Sequence, residues 1–203
     1  MNGNFAHLIG FLLSDGSVYY DKSKRTYCVQ FTNKSENLRS IFKYLMKTCF
    51  QVTKFYEIAK KDVISVRVFS KRIADILFLY SPTFRTLPCN QFPKCNDHLR
   101  HGKCLVYNFV EYPPCRIPKE VLENKEYSKR FIQGFTSGDG TLTIFPKYGA
   151  YRVELTCFHP FLREQILYCL KSLDFKTRSN WRSVFVSGKD NVSKFLSTVG
   201  YVK

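Results

Sequence analysis

The sequence predicts an α+β fold built as a pseudo-twofold tandem repeat, two copies of an αββαββα unit. Three observations predict it. A motif, Leu8-Ile-Gly-Phe-Leu-Leu-Ser-Asp-Gly16, returns as Ile132-Gln-Gly-Phe-Thr-Ser-Gly-Asp-Gly140. The offset of 124 residues (139 − 15) then holds without a gap through Tyr27/Tyr151, Val29/Val153, Thr32/Thr156, Leu38/Leu162, Arg39/Arg163, Tyr44/Tyr168, Lys47/Lys171 and Thr53/Thr177. A further block, Ser65-Val-Arg-Val-Phe-Ser-Lys71 against Ser183-Val-Phe-Val-Ser-Gly-Lys189, follows at an offset of 118 (189 − 71), which places an indel in a loop ahead of it.

In each copy a helix ends at the Asp-Gly pair. Two strands follow, Ser17 to Tyr20 and Thr26 to Thr32 in the first copy; then come a helix from about Ser35 to Cys49, one or two strands around Ile64 to Phe69, and a shorter helix after Lys71. Ser35 is the expected N-cap of its helix, whereas His159-Pro160 starts the counterpart with proline at the first helical position. Gly16 and Gly140 are expected to be left-handed residues closing the motif helices. The Pro/Cys-rich stretch from Ser81 to Ile117 reads as an elaborated connector rather than regular structure, dividing the chain into residues 1–117 and 118–203.

Composition narrows the function classes. With 44% hydrophobic residues, 13 Tyr and 19 Phe, the chain is not disordered. Its 32 Lys+Arg against 16 Asp+Glu give a formal charge of +16, which calls for a polyanionic partner, nucleic acid first. No apolar run approaches the roughly 18 residues of a membrane span, and Leu8 to Leu13 lacks the flanks of a signal peptide. The expected location is intracellular, in the cytoplasm or nucleoid of a prokaryote or in an organelle. In the connector, Cys89, Cys95, Cys104 and Cys115 with His98 and His101 leave three alternatives open: disulfides, a zinc site, or reduced thiols.

The motif helices carry small residues four apart, Gly10/Ser14 and Gly134/Gly138, so each has a bare stripe along which another backbone can approach closely. Packing stripe on stripe sets Asp15 and Asp139 nearly together at two helix C-termini. That is unfavourable for bare carboxylates, by about 0.5–1 kcal/mol or more from each of the helix dipole and the like charge. A cation is needed. Paired oxygen ligands with open positions suit Mg²⁺, which keeps several waters and accepts phosphate oxygens.

On these residues the chain resembles the LAGLIDADG homing endonucleases in their monomeric, two-motif form, with Leu8 to Gly16 and Ile132 to Gly140 as the two copies of the motif. The resemblance implies that Asp15 and Asp139 hold divalent metal, with Ser14 and Gly138 beside them at the metal site. It implies Mg²⁺, or another divalent cation such as Mn²⁺, with Ca²⁺ substituting without turnover. It further implies two antiparallel sheets forming a DNA-binding saddle, and a monomer that cuts each strand of a double-stranded target of about 20 bp across the minor groove, leaving short 3′ overhangs. Asn33 matches a polar position near the scissile phosphate, but its counterpart is Cys157, a departure that separates the two half-sites. For the central basic residue of each half, Arg116 and Lys203 are the positional candidates, with Lys34 as an alternative. The implied role is mobility of an encoding intron or intein. Two rivals are an RNA maturase acting on its host intron RNA and a non-cleaving DNA-binding regulator; keeping both acids favours the nuclease.

Strand alternation then assigns faces. Tyr27, Val29 and Phe31, with Tyr151, Val153 and Leu155, are expected to pack beneath the helices. The other face, offered to DNA, carries Ser17, Tyr19, Asp21, Lys24, Thr26, Cys28, Gln30, Thr32 and Arg67 in the first copy, and Thr141, Thr143, Phe145, Lys147, Tyr148, Arg152, Glu154 and Thr156 in the second. Gln30 and Arg152 have the forks that pair with adenine and guanine edges, and Glu154 accepts from cytosine N4. Lys22, Lys24 and Arg25, and the Lys60-Lys61 pair, are assigned to phosphates.

Overall fold

Asn2 opens the first helix: its side-chain oxygen accepts from the Phe5 amide at 2.9 Å, and α1 runs over Gly3–Leu13. In this computed structural model, which describes residues 1–87, 105–107 and 110–202, the first copy continues with β1 (Gly16–Asp21), β2 (Thr26–Asn33), α2 (Glu36–Phe50), β3 (Tyr56–Lys60), β4 (Val63–Phe69) and α3 (Lys71–Tyr80). The connector contributes a two-stranded ladder, β5 (Leu105–Tyr107) with β6 (Val110–Tyr112), and so holds some regular structure; a short helix α4 (Lys119–Glu123) follows it. The second copy is α5 (Lys125–Asp139), β7 (Gly140–Phe145), β8 (Ala150–Thr156), α6 (Pro160–Ser172), β9 (Thr177–Ser179), β10 (Ser183–Ser187) and α7 (Lys189–Thr198). The αββαββα unit is present twice. No helix among the described residues is long and apolar enough to cross a membrane.

Each copy forms a four-stranded antiparallel sheet, ordered β1-β2-β4-β3 and β7-β8-β10-β9. The strand registers carry the two sequence offsets. Gly16 faces Phe31 as Gly140 faces Leu155, both partners moved by 124; Val29 faces Val68 as Val153 faces Val186, the second partner moved by 118. The second helix of each copy starts as expected: the Ser35 hydroxyl accepts from the Leu38 amide at 3.4 Å, and His159 Nδ1 accepts from the Leu162 amide at 3.2 Å with Pro160 at the first turn. His159 Nε2 then donates to the Pro113 carbonyl at 2.7 Å and ties the connector to the second copy.

The centre of the molecule is the pair α1 and α5. A methyl group at Gly10 would overlap the Phe131 carbonyl oxygen and lie 2.7 Å from the Phe135 amide nitrogen; one at Gly134 would overlap the His7 carbonyl oxygen and lie 3.1 Å from the Phe11 amide nitrogen. Phe131 and Phe135 are the 124-offset counterparts of His7 and Phe11, so this is one contact repeated across the pseudo-twofold axis. Away from the axis, α1 covers the first sheet, where Phe11, Phe31 and Phe42 pack ring to ring at 5.0 and 5.2 Å. Val153, Leu155, Ile166, Val184, Val186 and Phe195 fill the equivalent layer of the second copy.

Gly16 and Gly140 differ from expectation. The positive-φ glycines among the described residues are Gly149, Gly188 and Gly200, and φ at Gly140 is −92°. The chain passes straight from helix into strand so tightly that a Cβ at Gly16 would lie 2.5 Å from Leu12 Cα, and one at Gly140 would overlap the Thr136 carbonyl. Steric room, not left-handed backbone, is what demands glycine at both positions.

Two buried arginines at repeat-equivalent positions fix the strand-to-helix junctions. Arg39, 8% exposed, donates from Nη1 to the Asn33 and Lys34 carbonyls at 2.9 and 2.6 Å. Arg163, also 8% exposed, donates to the carbonyls of Cys157, Phe158 and Trp181 at 3.1, 3.2 and 2.7 Å. Their charge is met by the dipoles of these peptide carbonyls. Arg39→Leu or Arg163→Leu is expected to cost about 2–4 kcal/mol in urea unfolding because it strands buried carbonyls, whereas the exposed Arg72→Leu stays within about 0.5 kcal/mol. Equal effects at all three sites would remove this role.

His7 lies in the α1–α5 seam with its ring 5.1 Å from Phe11 and its Nε2 buried without a hydrogen bond among the described residues. Burial, and secondarily the Arg130 charge, lower its pKa to about 4. The unfolded chain binds that proton near the ordinary value of 6.5, so stability falls as pH drops from 6.5 towards 4, by about 3 kcal/mol from this residue. His7→Phe, which copies Phe131, is expected to flatten that part of the pH–stability curve; a slope identical to wild type in denaturant titrations would place the acid sensitivity elsewhere.

Candidate active-site cleft and nucleic-acid interface

The seam that joins the copies also brings their acids together. A cleft of 690 Å³ is lined by Asp15 and Asp139 with Ser14, Tyr19, Thr32, Arg85, Thr156, Cys157 and Phe158. Gly138 allows the approach: a Cβ there would overlap Ser14 Oγ and lie 3.2 Å from Asp15 Oδ2. Each acid stands at the C-terminal end of its motif helix, where exposed carbonyls add negative potential, so the cleft favours a cation. Among the described residues no group of three or more His, Cys, Asp or Glu side chains is placed to hold a metal. Two hard carboxylates at an open cleft fit Mg²⁺, which binds through one or two carboxylates and keeps waters or phosphate oxygens in its remaining positions. Ser14 turns its hydroxyl to the Phe11 carbonyl at 3.1 Å, and Gly138 has no side chain, so these two residues supply room beside the acids rather than side-chain donors.

The two acids have different neighbours. Asn33 Nδ2 donates to Asp15 Oδ2 at 2.6 Å while its Oδ1 accepts from the Ser35 amide at 2.8 Å, which locks the amide between the acid and the α2 cap. In the second copy Cys157 is buried and turns its thiol to the His159 carbonyl at 3.5 Å. Burial, with a further contribution from the Asp139 charge, pushes the thiol up to about 12, so Cys157 is neutral at ordinary pH.

Among the described residues, the basic side chain that lines the cleft is Arg85, just beyond α3. Arg116 does not: it is exposed and lines a separate groove with Leu79, Lys119 and Leu122, its amide bonded to Ser81 Oγ at 3.0 Å. The 118-residue offset that aligns Lys71 with Lys189 also aligns Arg85 with Lys203, a signal the sequence already contained. Lys203, Cys89, Cys95, Cys104, His98 and His101 lie outside the described residues. Cys115 is buried in the hydrophobic core. Lys34 is exposed and pairs with Asp62 at 3.5 Å.

Facing away from the helices, the first sheet presents a bonded row. Arg67 Nε donates to Gln30 Oε1 at 2.6 Å, Tyr19 OH to the same oxygen at 3.3 Å, and Gln30 Nε2 to Thr32 Oγ1 at 3.0 Å. The expectation that Cys28 is offered on this face fails, since it is fully buried, covered where Tyr19 and Phe69 pair across it. Asp21 holds the hairpin, its Oδ1 accepting from the Ser23 hydroxyl at 2.6 Å and from the Lys24 and Ser23 amides at 3.1 and 2.9 Å, and those bonds, the hydroxyl's first, lower its pKa. Lys22, Lys24 and Arg25 are exposed around that turn. On the second sheet Glu154 accepts from Ser183 Oγ at 2.8 Å and sits 3.5 Å from Arg152, whose guanidinium lies over Phe185 at 5.3 Å. Thr141, Phe145, Lys147 and Tyr148 are exposed and Thr143 is half-buried. The register adds residues that alternation along single strands missed: Tyr56 opposite Arg67, and Phe185 with Arg178 in the row of Glu154.

Residues 2–78 match the sequence profile of the LAGLIDADG-like domain. Among solved structures, mesophilic variants of the homing endonuclease I-DmoI align with a TM-score of 0.60 at 18% identity, covering 98% of this chain and 95% of theirs. I-DmoI in complex with DNA and Mn aligns at 0.59 and 18%, covering 98% and 96%. The N-terminal LAGLIDADG domain of DUF199/WhiA aligns at 0.58 and 14%, covering 99% and 83%. No curated protein matches the sequence. Residues 2–78 are thus similar to the LAGLIDADG-like domain, and the chain as a whole shares the tandem fold of these LAGLIDADG structures.

Proposed function

We propose that the protein is a site-specific endonuclease that hydrolyses one phosphodiester in each strand of a double-stranded DNA target, using divalent metal, in the service of intron or intein mobility. The observation that carries this reading is the meeting of Asp15 and Asp139, one from each repeat, in a single cleft at the junction of two sheets. Supporting it are a charge of +16, sheet faces rich in polar side chains, and the fold shared with I-DmoI, whose structures hold DNA with Mn, Ca or Mg.

Asp15 and Asp139 would hold the metal. When bound, Mg²⁺ or Mn²⁺ supplies Lewis-acid stabilisation of the charge that grows on the phosphoryl oxygens and lowers the pKa of water. The chain's own residues prepare the site. Asn33 fixes the Asp15 carboxylate in orientation, Arg39 fixes Asn33 through its carbonyl, and Arg85 brings positive charge to the cleft wall for a phosphate. The sheet rows Gln30–Arg67 and Arg152–Glu154–Phe185 meet base edges in the major groove, while the lysines around Asp21 and Lys147 meet phosphates.

The test is cleavage of the intronless form of the host locus in Mg²⁺, with binding measured in EDTA. Wild type is expected to linearise the DNA. Asp15→Asn and Asp139→Asn are each expected to lose double-strand cleavage by at least about 100-fold while keeping affinity within a few-fold. Undiminished double-strand cleavage by either variant would defeat the assignment, and DNA binding with no cleavage by wild type would point to the regulator reading.

A further inference from the structure

At the cleft's edge the repeat breaks its own symmetry. Phe158 and Trp181 are 38% and 69% exposed, with ring centroids 5.7 Å apart, and the Arg182 guanidinium lies 5.8 Å from the Trp181 ring. The backbone beneath them is bolted down: the Cys157 amide donates to the Arg182 carbonyl at 2.7 Å, and buried Arg163 donates to the carbonyls of both Phe158 and Trp181. In the first copy the same corner carries Lys34, the 124-offset counterpart of Phe158, paired with Asp62 in an exposed ion pair. Lys34 and Val63 of the first copy are thus replaced by two exposed aromatic residues, Phe158 and Trp181, on a hydrogen-bonded backbone in the second.

Phe158 lines the cleft shared by Asp15 and Asp139, and β10 starts from this corner, so the rings sit at the central end of the second sheet. We propose that Phe158, Trp181 and Arg182 form a stacking platform for an unstacked nucleobase, with Arg182 on the adjoining phosphate. Three features select that ligand. Exposed rings on a hydrogen-bonded backbone suit the π-face of any base, a cation beside them suits the strand that carries it, and Phe158 itself lines the acid cleft of a chain with net charge +16. The proposal rests on the DNA reading only for the source of the strand; the platform acts on the second copy's side alone.

Trp181 is the chain's single tryptophan, so its emission reports the platform directly. The full-length protein is titrated in EDTA at low salt with a short oligothymidylate and with a blunt mixed-sequence duplex, reading tryptophan emission together with anisotropy of a labelled strand. Stacking predicts that oligothymidylate quenches Trp181, that Trp181→Ala and Phe158→Ala each weaken single-strand binding about tenfold, and that Trp181→Phe keeps most of it. Duplex affinity is expected to change little. Unquenched emission at saturation, single-strand affinity unaltered in Trp181→Ala, or no single-strand binding by wild type would each overturn the platform. EDTA keeps cleavage out of the measurement, so this result stands apart from the Asp15 and Asp139 test: a platform with no nuclease, or a nuclease with no platform, are distinguishable outcomes.

Discussion

The architecture depends on the closeness with which two helix backbones touch. At Gly10 and Gly134 there is no space for even a methyl group, and Gly138 keeps Ser14 and Asp15 against the second helix. Dispersion along such a seam is strong because atoms of both backbones sit at contact distance, and the contact is self-matching because the same residues supply it from both sides. Everything distal follows as a lever from that seam. Each helix runs straight into the first strand of its own sheet through a glycine with no room for a side chain, so the position of the seam sets the position of the strands and of the acids between helix and strand.

That geometry carries an electrostatic cost. Two carboxylates at two helix C-termini repel, and the groups around them respond unequally. Asn33 donates to Asp15, Arg85 stands in the cleft wall, and Cys157 beside Asp139 stays a neutral buried thiol. The copies share a backbone and differ in chemistry at the site. The same divergence appears at the Lys34–Asp62 corner and its aromatic counterpart. An asymmetric site suits an asymmetric polymer: a single chain with two different halves can address a target whose halves differ, which two identical subunits cannot.

Much of this was legible in the residues, and the reasons differ by element. The repeat showed because one register persisted over forty residues, and strand pairing later reproduced both offsets. The meeting of Asp15 and Asp139 followed from the small-residue stripes. At Gly16 and Gly140 the demand is close approach rather than positive φ, and a glycine in a sequence does not distinguish the two. Position ahead of the second motif points to Arg116, whereas the 118-residue offset pairs Arg85 with Lys203. Arg39 and Arg163 were visible as a repeated pair but not as buried donors, since helix periodicity does not report what an interior guanidinium finds to bond. Cys28 showed that strand alternation names a face without saying whether a larger neighbour such as Tyr19 covers it.

The account stands on one spatial claim, that the two motif carboxylates converge on a shared cation site. Anomalous diffraction from crystals of the protein with duplex DNA and Mn²⁺ tests it most directly. The account predicts manganese density bounded by the Asp15 and Asp139 carboxylates in the cleft that Arg85 flanks. Manganese bound away from both residues, or the two side chains directed to opposite sides of the helix seam, would contradict it.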